Sequence, residues 1–127
     1  MKELTRAEEE IMQILWETGG GYVRDIIERI DDEPKPAYNT VSTIVRILEK
    51  KGFVGHEAVG GSHRYFPLVP KEEYSRARLR NFVKNYFNNS YKRFASFFAK
   101  DSDLSLSELE ELRKIFEDEA KSHREEE

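Results

Sequence analysis

The 127-residue chain contains no cysteine, which excludes disulfides and thiolate metal sites. No apolar run approaches the roughly 18 to 20 residues of a membrane span, and the opening residues MKELTRAEEE lack the apolar core of a signal peptide. We therefore expect a cytoplasmic protein that is not inserted in a membrane and that holds no metal ion or other cofactor.

The sequence also lacks the signatures of an active site. Its three histidines are scattered, and no carboxylate pair, glycine-rich phosphate loop or serine nucleophile motif accompanies them. His56 and His63 lie in a predicted hairpin without a third metal ligand, which favours a role on the surface of that hairpin. We expect no enzymatic activity.

Charge is unevenly distributed, although the net charge is only −4. Residues 71–100 carry eight basic and two acidic side chains, whereas residues 101–127 carry four basic and eleven acidic ones. Residues 35–64, in an otherwise acidic first part, hold five basic side chains and two acidic ones. A locally basic surface on an acidic protein favours a partner that carries phosphates.

Two segments near the start of the chain have apolar residues at helical spacing. In LTRAEEEIMQILWETGG, Thr5 and Glu8 have the spacing of a capping box, and the glycines at 19–21 end the helix. In YVRDIIERI, the two prolines of the following DDEPKP end the helix. The pattern predicts two helices that share one core.

The segment AYNTVSTIVRILEKKGF, residues 37–53, predicts a third helix with two unlike faces. Its apolar stripe consists of Val41, Ile44, Val45 and Leu48. Its first turns are filled with small polar residues, which are poor helix formers but versatile hydrogen-bonding groups. Short polar side chains can meet base edges without pushing the backbone away, so we interpret this end of the helix as a DNA-contacting surface.

Roles can be assigned to the individual polar residues. The candidates for base contact are Asn39, Ser42, Thr43 and Arg46. Tyr38 and Thr40 are candidates for phosphate contact or helix capping. Lys50, Lys51, His63 and Arg64 are placed to neutralise phosphates. The residues leave a plainer alternative open, in which the threonines cap or pack the helix and the lysines complement its dipole.

After Gly52 the pattern changes to strands. FVGHEAV and SHRYFPLV are rich in β-branched and aromatic residues, and the glycines between them predict a hairpin. Three helices followed by a hairpin make a winged helix-turn-helix, in which the third helix enters the major groove. We predict a mainly α-helical protein with such a DNA-binding domain over residues 1–70.

Residues 71–127 predict a helical dimerisation domain. Apolar residues repeat at helical spacing on both sides of an NNS break and again in a last helix, which begins at Ser105 with Glu108 completing a capping box. About 55 residues cannot easily enclose three apolar helix faces, so a second copy is expected to cover them. The residues expected at that interface are Leu79, Phe82, Val83, Tyr86, Phe87, Tyr91, Phe94, Leu109, Leu112, Ile115 and Phe116.

The aromatic residues of this domain also allow base stacking beside its basic residues, but their helical spacing favours a core or a dimer interface. The basic residues of 71–100 are expected to pair with the acidic last helix, either within a subunit or across the dimer.

Four stretches, taken in order, resemble the BlaI/MecI-type penicillinase-repressor family of winged-helix transcription factors. They are LTRAEEEIMQILW at 4–16, NTVSTIVRILEKKGFVGH at 39–56, RYFPLV at 64–69 and DLSLSELEELRKIF at 103–116. The likeness runs over nearly the whole chain. It implies a homodimeric repressor that binds an inverted-repeat operator in double-stranded DNA.

The resemblance also implies how repression ends. Family members are commonly encoded beside a membrane-embedded metalloprotease sensor, and a cut in the dimerisation region lifts repression after a cell-envelope or antibiotic signal. The corresponding bond here joins Phe97 to Phe98; Phe98 agrees with the family, whereas Phe97 replaces its asparagine. Copper-responsive relatives carry a cysteine cluster that this chain lacks, so metal sensing of that kind is not expected.

Two other functions stay open at the level of the sequence. One is a winged-helix module that binds proteins, since the fold does not dictate the function. The other is a regulator released by a small ligand in the dimer core rather than by proteolysis. A protein-binding third helix would expose aromatic or leucine anchors, and the small polar residues found there favour DNA.

Overall fold

The computed structural model describes all 127 residues as six helices and one two-stranded antiparallel sheet. In chain order the elements are α1 (Arg6–Thr18), α2 (Val23–Arg29), α3 (Tyr38–Lys50), β1 (Val54–Val59), β2 (Ser62–Pro67), α4 (Lys71–Phe87), α5 (Tyr91–Asp101) and α6 (Leu106–Glu126). The chain forms two units, Met1–Leu79 and Arg80–Glu127. None of the helices combines the length and apolar character that crossing a bilayer requires.

α1 begins and ends where the sequence predicts. Thr5 Oγ1 accepts a hydrogen bond from Glu8 N, and Glu8 Oε1 accepts one from Thr5 N, so the capping box is confirmed. Gly19 ends the helix with a φ of 83°, a left-handed conformation that a residue with a Cβ rarely adopts.

One apolar core joins the three helices of the first unit. Its fully buried side chains include Ile11, Met12 and Leu15 of α1, Ile26 of α2, and Val41, Val45 and Leu48 of α3. They recur at three- and four-residue intervals, so each helix turns one face inward. Each such side chain contributes about 1.5 to 3 kcal/mol when it is fully buried. The predicted apolar face of α3 is confirmed.

β1 and β2 form the predicted hairpin. The antiparallel register runs from Val54 opposite Pro67 to Val59 opposite Ser62. Gly60 and Gly61 make the turn between them, and their φ angles of 52° and 81° are those that a tight two-residue hairpin turn needs.

A single residue pair extends this hairpin by one short strand. Gly21 N donates to Tyr65 O and Tyr65 N donates to Gly21 O, both at 2.8 Å. At Gly20 the φ is 145°, and a Cβ would lie 2.7 Å from Tyr65 O. The glycines that the sequence predicts only as the end of α1 therefore also let the chain approach β2 closely. With its three helices, hairpin and bridge, this unit has the predicted winged helix-turn-helix fold.

The first half of α4 belongs to the same unit. Tyr74 is buried, and its hydroxyl accepts a hydrogen bond from Leu4 N and donates one to Glu9 Oε2, each at 3.1 Å. The Tyr74 ring also packs against two aromatic rings of the core. The division between the units falls after Leu79, inside a helix, whereas the sequence favours a boundary at Pro70.

The second unit contains the end of α4 and all of α5 and α6. Asn88 and Asn89 have φ angles of 51° and 64°, which breaks the helix at the predicted position. Ser90 caps α5 by accepting a hydrogen bond from a backbone N–H. Ser105 and Glu108 form the predicted capping box at the start of α6.

An ion pair joins the start of α1 to the residue that follows α3. Glu8 is only 4% exposed, and both of its carboxylate oxygens lie 2.8 Å from Lys51 Nζ. Burial by itself raises the pKa of the Glu8 carboxyl, but hydrogen bonds from Lys51 and Thr5 outweigh that effect and hold the pKa below its usual 4.5. The fold therefore stabilises the charged form of Glu8.

We expect Glu8→Gln to lower the free energy of unfolding by about 1 to 3 kcal/mol at pH 7, because the partly buried Lys51 loses its counter-charge. The native pKa of Glu8 is depressed, so the contribution of its charge is present above 4.5 and is lost as the pH falls through the lower native value. Urea unfolding between pH 7 and pH 3 measures the difference between wild type and variant.

The matched control for this measurement is Glu10→Gln, which removes an exposed carboxylate from the same helix. Equal destabilisation by the two variants at pH 7 would contradict the role of the ion pair. So would a difference between wild type and Glu8→Gln that does not narrow below pH 4.5.

Candidate nucleic-acid interface

The solvent side of α3 carries a row of polar and basic side chains. Asn39, Thr43, Arg46 and Lys50 are four, three and four residues apart, and all are exposed. Helical geometry puts residues at that spacing on one face. We call these four residues the polar face of α3. Tyr38 and Thr40 are exposed beside it in the first turn.

The N-terminus of α3 has no side-chain cap. Ala37 occupies the N-cap position, and the first turn contains no acidic residue. Neither Tyr38 nor Thr40 caps the helix. Thr43 Oγ1 donates a hydrogen bond to the carbonyl oxygen of Asn39 at 2.8 Å, so this hydroxyl is bound within the helix. The first backbone N–H groups and the helix dipole therefore favour an anion at this end.

Ser42 lies between the apolar and polar faces of α3, on the wall of a polar cleft that Arg46, four residues on, also lines. It is 6% exposed and stands three residues before Val45, which is fully buried. Contact with a base edge requires access from solvent. Its small exposed area argues against the base contact expected from the sequence, so we assign Ser42 to the wall of the cleft and not to a base.

Two of the five basic side chains in residues 35–64 donate hydrogen bonds to groups of the fold itself. Lys51 Nζ binds the buried Glu8 carboxylate, so its charge is engaged inside the unit, which argues against the phosphate contact expected from the sequence. Lys35 Nζ lies between 2.7 and 3.3 Å from three backbone carbonyl oxygens of residues 27–30. It closes the C-terminal end of α2, where carbonyl groups lack helical partners.

A polar cleft lies between α2, α3 and the hairpin. Its lining contains no carboxylate and includes Tyr22, Arg24, Tyr38, Ser42, Arg46, His63 and Tyr65. Burial, with the negative charge of Glu49 as the next cause, raises the pKa of the Tyr65 hydroxyl, which therefore stays protonated at neutral pH. A cleft with two arginines and no acid suits an anion.

Arg24 and Tyr22 are cleft residues that the sequence analysis did not identify. Both come from α2 or its N-cap, outside the segment with the unusual polar pattern. Only their position in the helix before α3 could have identified them from the sequence. In helix-turn-helix domains, the helix before the recognition helix crosses the DNA backbone. An exposed arginine on that helix is a candidate phosphate contact.

The hairpin presents His63 and Arg64 differently. His63 is exposed and lines the cleft. Arg64 is half-buried, and its guanidinium lies 3.7 Å from the Glu57 carboxylate on the paired strand. Successive strand residues point to opposite faces, so only His63 faces the cleft, while the Arg64 charge is shared with Glu57.

The residues expected at a dimer interface separate into a packed group and an exposed group. Val83 is fully buried, and the rings of Phe82, Phe87 and Phe94 pack with centroids 5.5 to 6.0 Å apart. Leu112 is partly buried. Phe82 is 45% exposed although it packs in this way, and the other exposed residues are Leu79, Tyr86, Tyr91, Leu109, Ile115 and Phe116. The second unit thus forms a small, partly exposed aromatic cluster and presents further apolar side chains to solvent.

The basic residues of α4 and α5 form no ion pair with the acidic α6 at 4 Å or less. Arg78 instead binds Glu3 at 2.8 Å within the first unit. Arg113 of α6 pairs with two glutamates of its own helix. The expected pairing within a subunit is absent, which leaves these charges available to a second copy.

The Phe97–Phe98 bond, expected as a cleavage site, lies inside α5. Both side chains are exposed, by 55% and 40%. Their surfaces are open to a partner, but the backbone there is helical, and α5 must open locally before a protease can bind it in an extended form.

Comparisons with known proteins agree with this geometry. The family model described as penicillinase repressor matches residues 4–118. The methicillin resistance regulatory protein MecI of Staphylococcus aureus (strain N315) is 29% identical over 113 residues, which cover 89% of this chain and 92% of that protein. The penicillinase repressor of Bacillus licheniformis is 23% identical over 116 residues, which cover 91% of each chain.

A solved structure, described as a MepR-like protein complexed with pseudoligands, also aligns with this chain. The alignment covers 91% of this chain and 72% of that one, at 18% identity and a TM-score of 0.45. At that TM-score the likeness adds nothing to the fold described above.

We expect Lys35→Met to lower the free energy of unfolding by about 1 kcal/mol, because three carbonyl groups at the end of α2 lose a charged donor. Lys50→Met, which replaces an exposed lysine at the end of α3, should change the free energy of unfolding by less than about 0.5 kcal/mol. Thermal or urea unfolding of both variants measures the contrast. Equal stability of the two variants would show that Lys35 does not hold the turn between α2 and α3.

Proposed function

Because the chain belongs to the penicillinase repressor family, as its resemblance predicted, we propose that it acts as a homodimer on an inverted-repeat operator in double-stranded DNA. Members of this family are transcriptional repressors and not enzymes, and this chain is a DNA-binding repressor of that kind. The location we propose is the cytoplasm, where such a repressor meets its operator.

The observation that carries this proposal is the exposed polar face of α3 beside a cationic cleft. The apolar face of the helix packs into the core of the unit, so these side chains project from a backbone held in place. An α-helix fits the major groove, where each base pair displays a distinct pattern of donors and acceptors. The uncapped N-terminus of α3 adds a site that favours a phosphate.

Within this interface we assign Asn39, Thr43 and Arg46 to the bases. An asparagine can form a paired contact with adenine and an arginine with guanine, while a threonine methyl can pack on the methyl group of thymine. Lys50, His63 and Arg64 are assigned to phosphates, as expected from the sequence, and Arg24 joins them. Tyr38 and Thr40, exposed at the uncapped end of α3, complete the phosphate contacts.

The apolar residues that α6 exposes support the homodimer. Ile115 and Phe116 are adjacent and more than half exposed, which is unusual for large apolar side chains on one short stretch of helix. No ion pair joins the acidic α6 to the basic side chains of α4 or α5, so charge complementarity between them is left for a second copy. A dimer with two-fold symmetry matches a two-fold symmetric operator.

Repression is lifted, in our proposal, by cleavage at or near the Phe97–Phe98 bond. A cut there separates α6, with its apolar residues, from the DNA-binding unit, and the half-sites are then bound by single copies with lower affinity. The partner that cuts is a membrane-embedded metalloprotease sensor. The names of the relatives point to a β-lactam or cell-envelope signal.

We expect Asn39→Ala and Arg46→Ala each to weaken binding to a specific site by about 1 to 3 kcal/mol per contact, with a smaller effect on random DNA. The specific site is one enriched from a random duplex pool by the wild-type protein. Titration of that duplex and of a scrambled duplex of the same length measures both affinities.

Arg46→Lys is the matched control, since lysine keeps the charge but loses the planar pair of donors. If Arg46 contacts a base, Arg46→Lys should also bind the enriched duplex more weakly than the wild type does. If lysine restores wild-type binding, or if the alanine variants lose as much affinity for scrambled DNA, then Arg46 and Asn39 contact phosphates rather than bases.

We expect Phe116→Glu to convert the dimer to monomers of 15.0 kDa, because it places a charge in the proposed interface. Phe116 is 65% exposed in the single chain, so the substitution should leave the fold of each subunit intact. Sedimentation measures the mass, and Ser122→Glu, an exposed polar position of the same helix, is the control. A Phe116→Glu protein that remains dimeric would place the interface elsewhere.

A further inference from the structure

Three side chains form a series of contacts from α3 to the outer half of the hairpin. Glu49, in the last turn of α3, is hydrogen-bonded to Nδ1 of His56 on β1. The His56 imidazole stacks on that of His63 on β2, with ring centroids 4.3 Å apart and an angle of 17° between the planes. The register puts these histidines diagonally across the hairpin, because His56 lies opposite Tyr65.

His63, the last of the three, faces the cleft between α3 and the hairpin. The charged groups on that cleft are Arg24 from α2 and Arg46 from α3, and its other titratable groups are Tyr22, Tyr38 and Tyr65. The carboxylates near the cleft have partners of their own, since Glu49 binds His56, Glu57 lies beside Arg64 and Asp25 accepts a hydrogen bond from Tyr22 N. A proton on His63 therefore adds a third positive charge to the cleft.

The cost of that third charge depends on whether DNA is present. In the free protein, Arg24 and Arg46 already supply two positive charges to the cleft. A DNA phosphate in the cleft attracts an imidazolium as it attracts the two arginines. Imidazole side chains change charge between pH 5 and 8, so phosphate binding at this position is coupled to proton uptake.

We propose that His63 is a pH-dependent DNA contact and that His56, held by Glu49, is the residue that positions it. The inference rests on the proposed function, since it needs the cleft to face DNA. An exposed side chain on a hairpin ordinarily samples several rotamers, and a stacked ring restricts His63 to the cleft before DNA arrives. The hydrogen bond from His56 to Glu49 fixes that ring to the recognition helix itself.

The direction and size of the pH dependence of DNA affinity follow from the linkage between proton uptake and DNA binding. Each subunit takes up at most one proton at His63, so the logarithm of the affinity rises by at most one unit per pH unit per subunit as the pH falls. We expect the wild-type dimer to bind its specific site about 10-fold or more tightly at pH 6 than at pH 8, at constant ionic strength.

The experiment is a titration of a labelled specific duplex with the full chain at pH 6, 7 and 8. His63→Gln should lose most of the pH dependence. His56→Ala, which keeps His63 but removes its support, should bind at least about threefold more weakly at pH 6. His56→Phe, which keeps a ring for stacking but not the hydrogen bond to Glu49, should recover part of that loss.

His123→Gln is the matched control, because it removes the remaining histidine, on α6, far along the sequence from the cleft. Its pH profile should be that of the wild type. Thermal unfolding of every variant at pH 6 and pH 8 separates a change in DNA contact from a change in folding.

The outcomes distinguish this inference from the function it rests on. A wild-type protein without specific binding at any pH would overturn the proposed function and the inference together. Specific binding whose pH profile is unchanged by His63→Gln would overturn the inference alone. Wild-type affinity and profile in His56→Ala would overturn the positioning role of His56.

Discussion

The rest of the structure depends on one constraint, which is that α3 buries one face completely and leaves the other bare. Val41, Val45 and Leu48 hold the helix against the core of the first unit, and no side chain of that unit covers the opposite row. The flanking segments reinforce this placement, because Lys35 closes the end of α2 before the helix and Lys51 binds Glu8 after it. The polar face is therefore presented by a backbone that is fixed on both sides.

The basic side chains of the first unit include some that bind groups of the fold and some that have no ion-pair partner. Lysines that stabilise the fold have internal partners, a carboxylate for Lys51 and three carbonyl groups for Lys35. The arginines that line the cleft, Arg24 and Arg46, have no ion-pair partner within 4 Å. An acidic protein can thus present a local surface suited to DNA, since steering by charge depends on the local field rather than on the net charge.

Local signals made most of the fold predictable from the sequence. The capping boxes at Thr5 and Ser105 and the turn at Gly60 are each determined by a few adjacent residues, and the structure has all three. The spacing of apolar residues in α3 also predicts its buried face, and therefore the exposed positions of Asn39 and Arg46.

The sequence could not reveal partners that lie far apart along the chain. Lys51 and Glu8 are 43 residues apart, and no local pattern tells an engaged lysine from an available one. Leu4 and Tyr74, which extend the first unit beyond Pro70, are 70 residues apart. Ser42 resembles its polar neighbours in type, but helical phase places it at the border of the apolar face, where it is only 6% exposed.

The central claim is that the polar face of α3 reads base edges in the major groove, once in each subunit of a dimer. Methylation interference on an enriched duplex tests it most directly, because guanine N7 faces the major groove and adenine N3 the minor groove. We expect interference at guanine N7 in two symmetric half-sites, about one helical turn or a multiple of it apart. Interference only at adenine N3, or at no position, would contradict the claim.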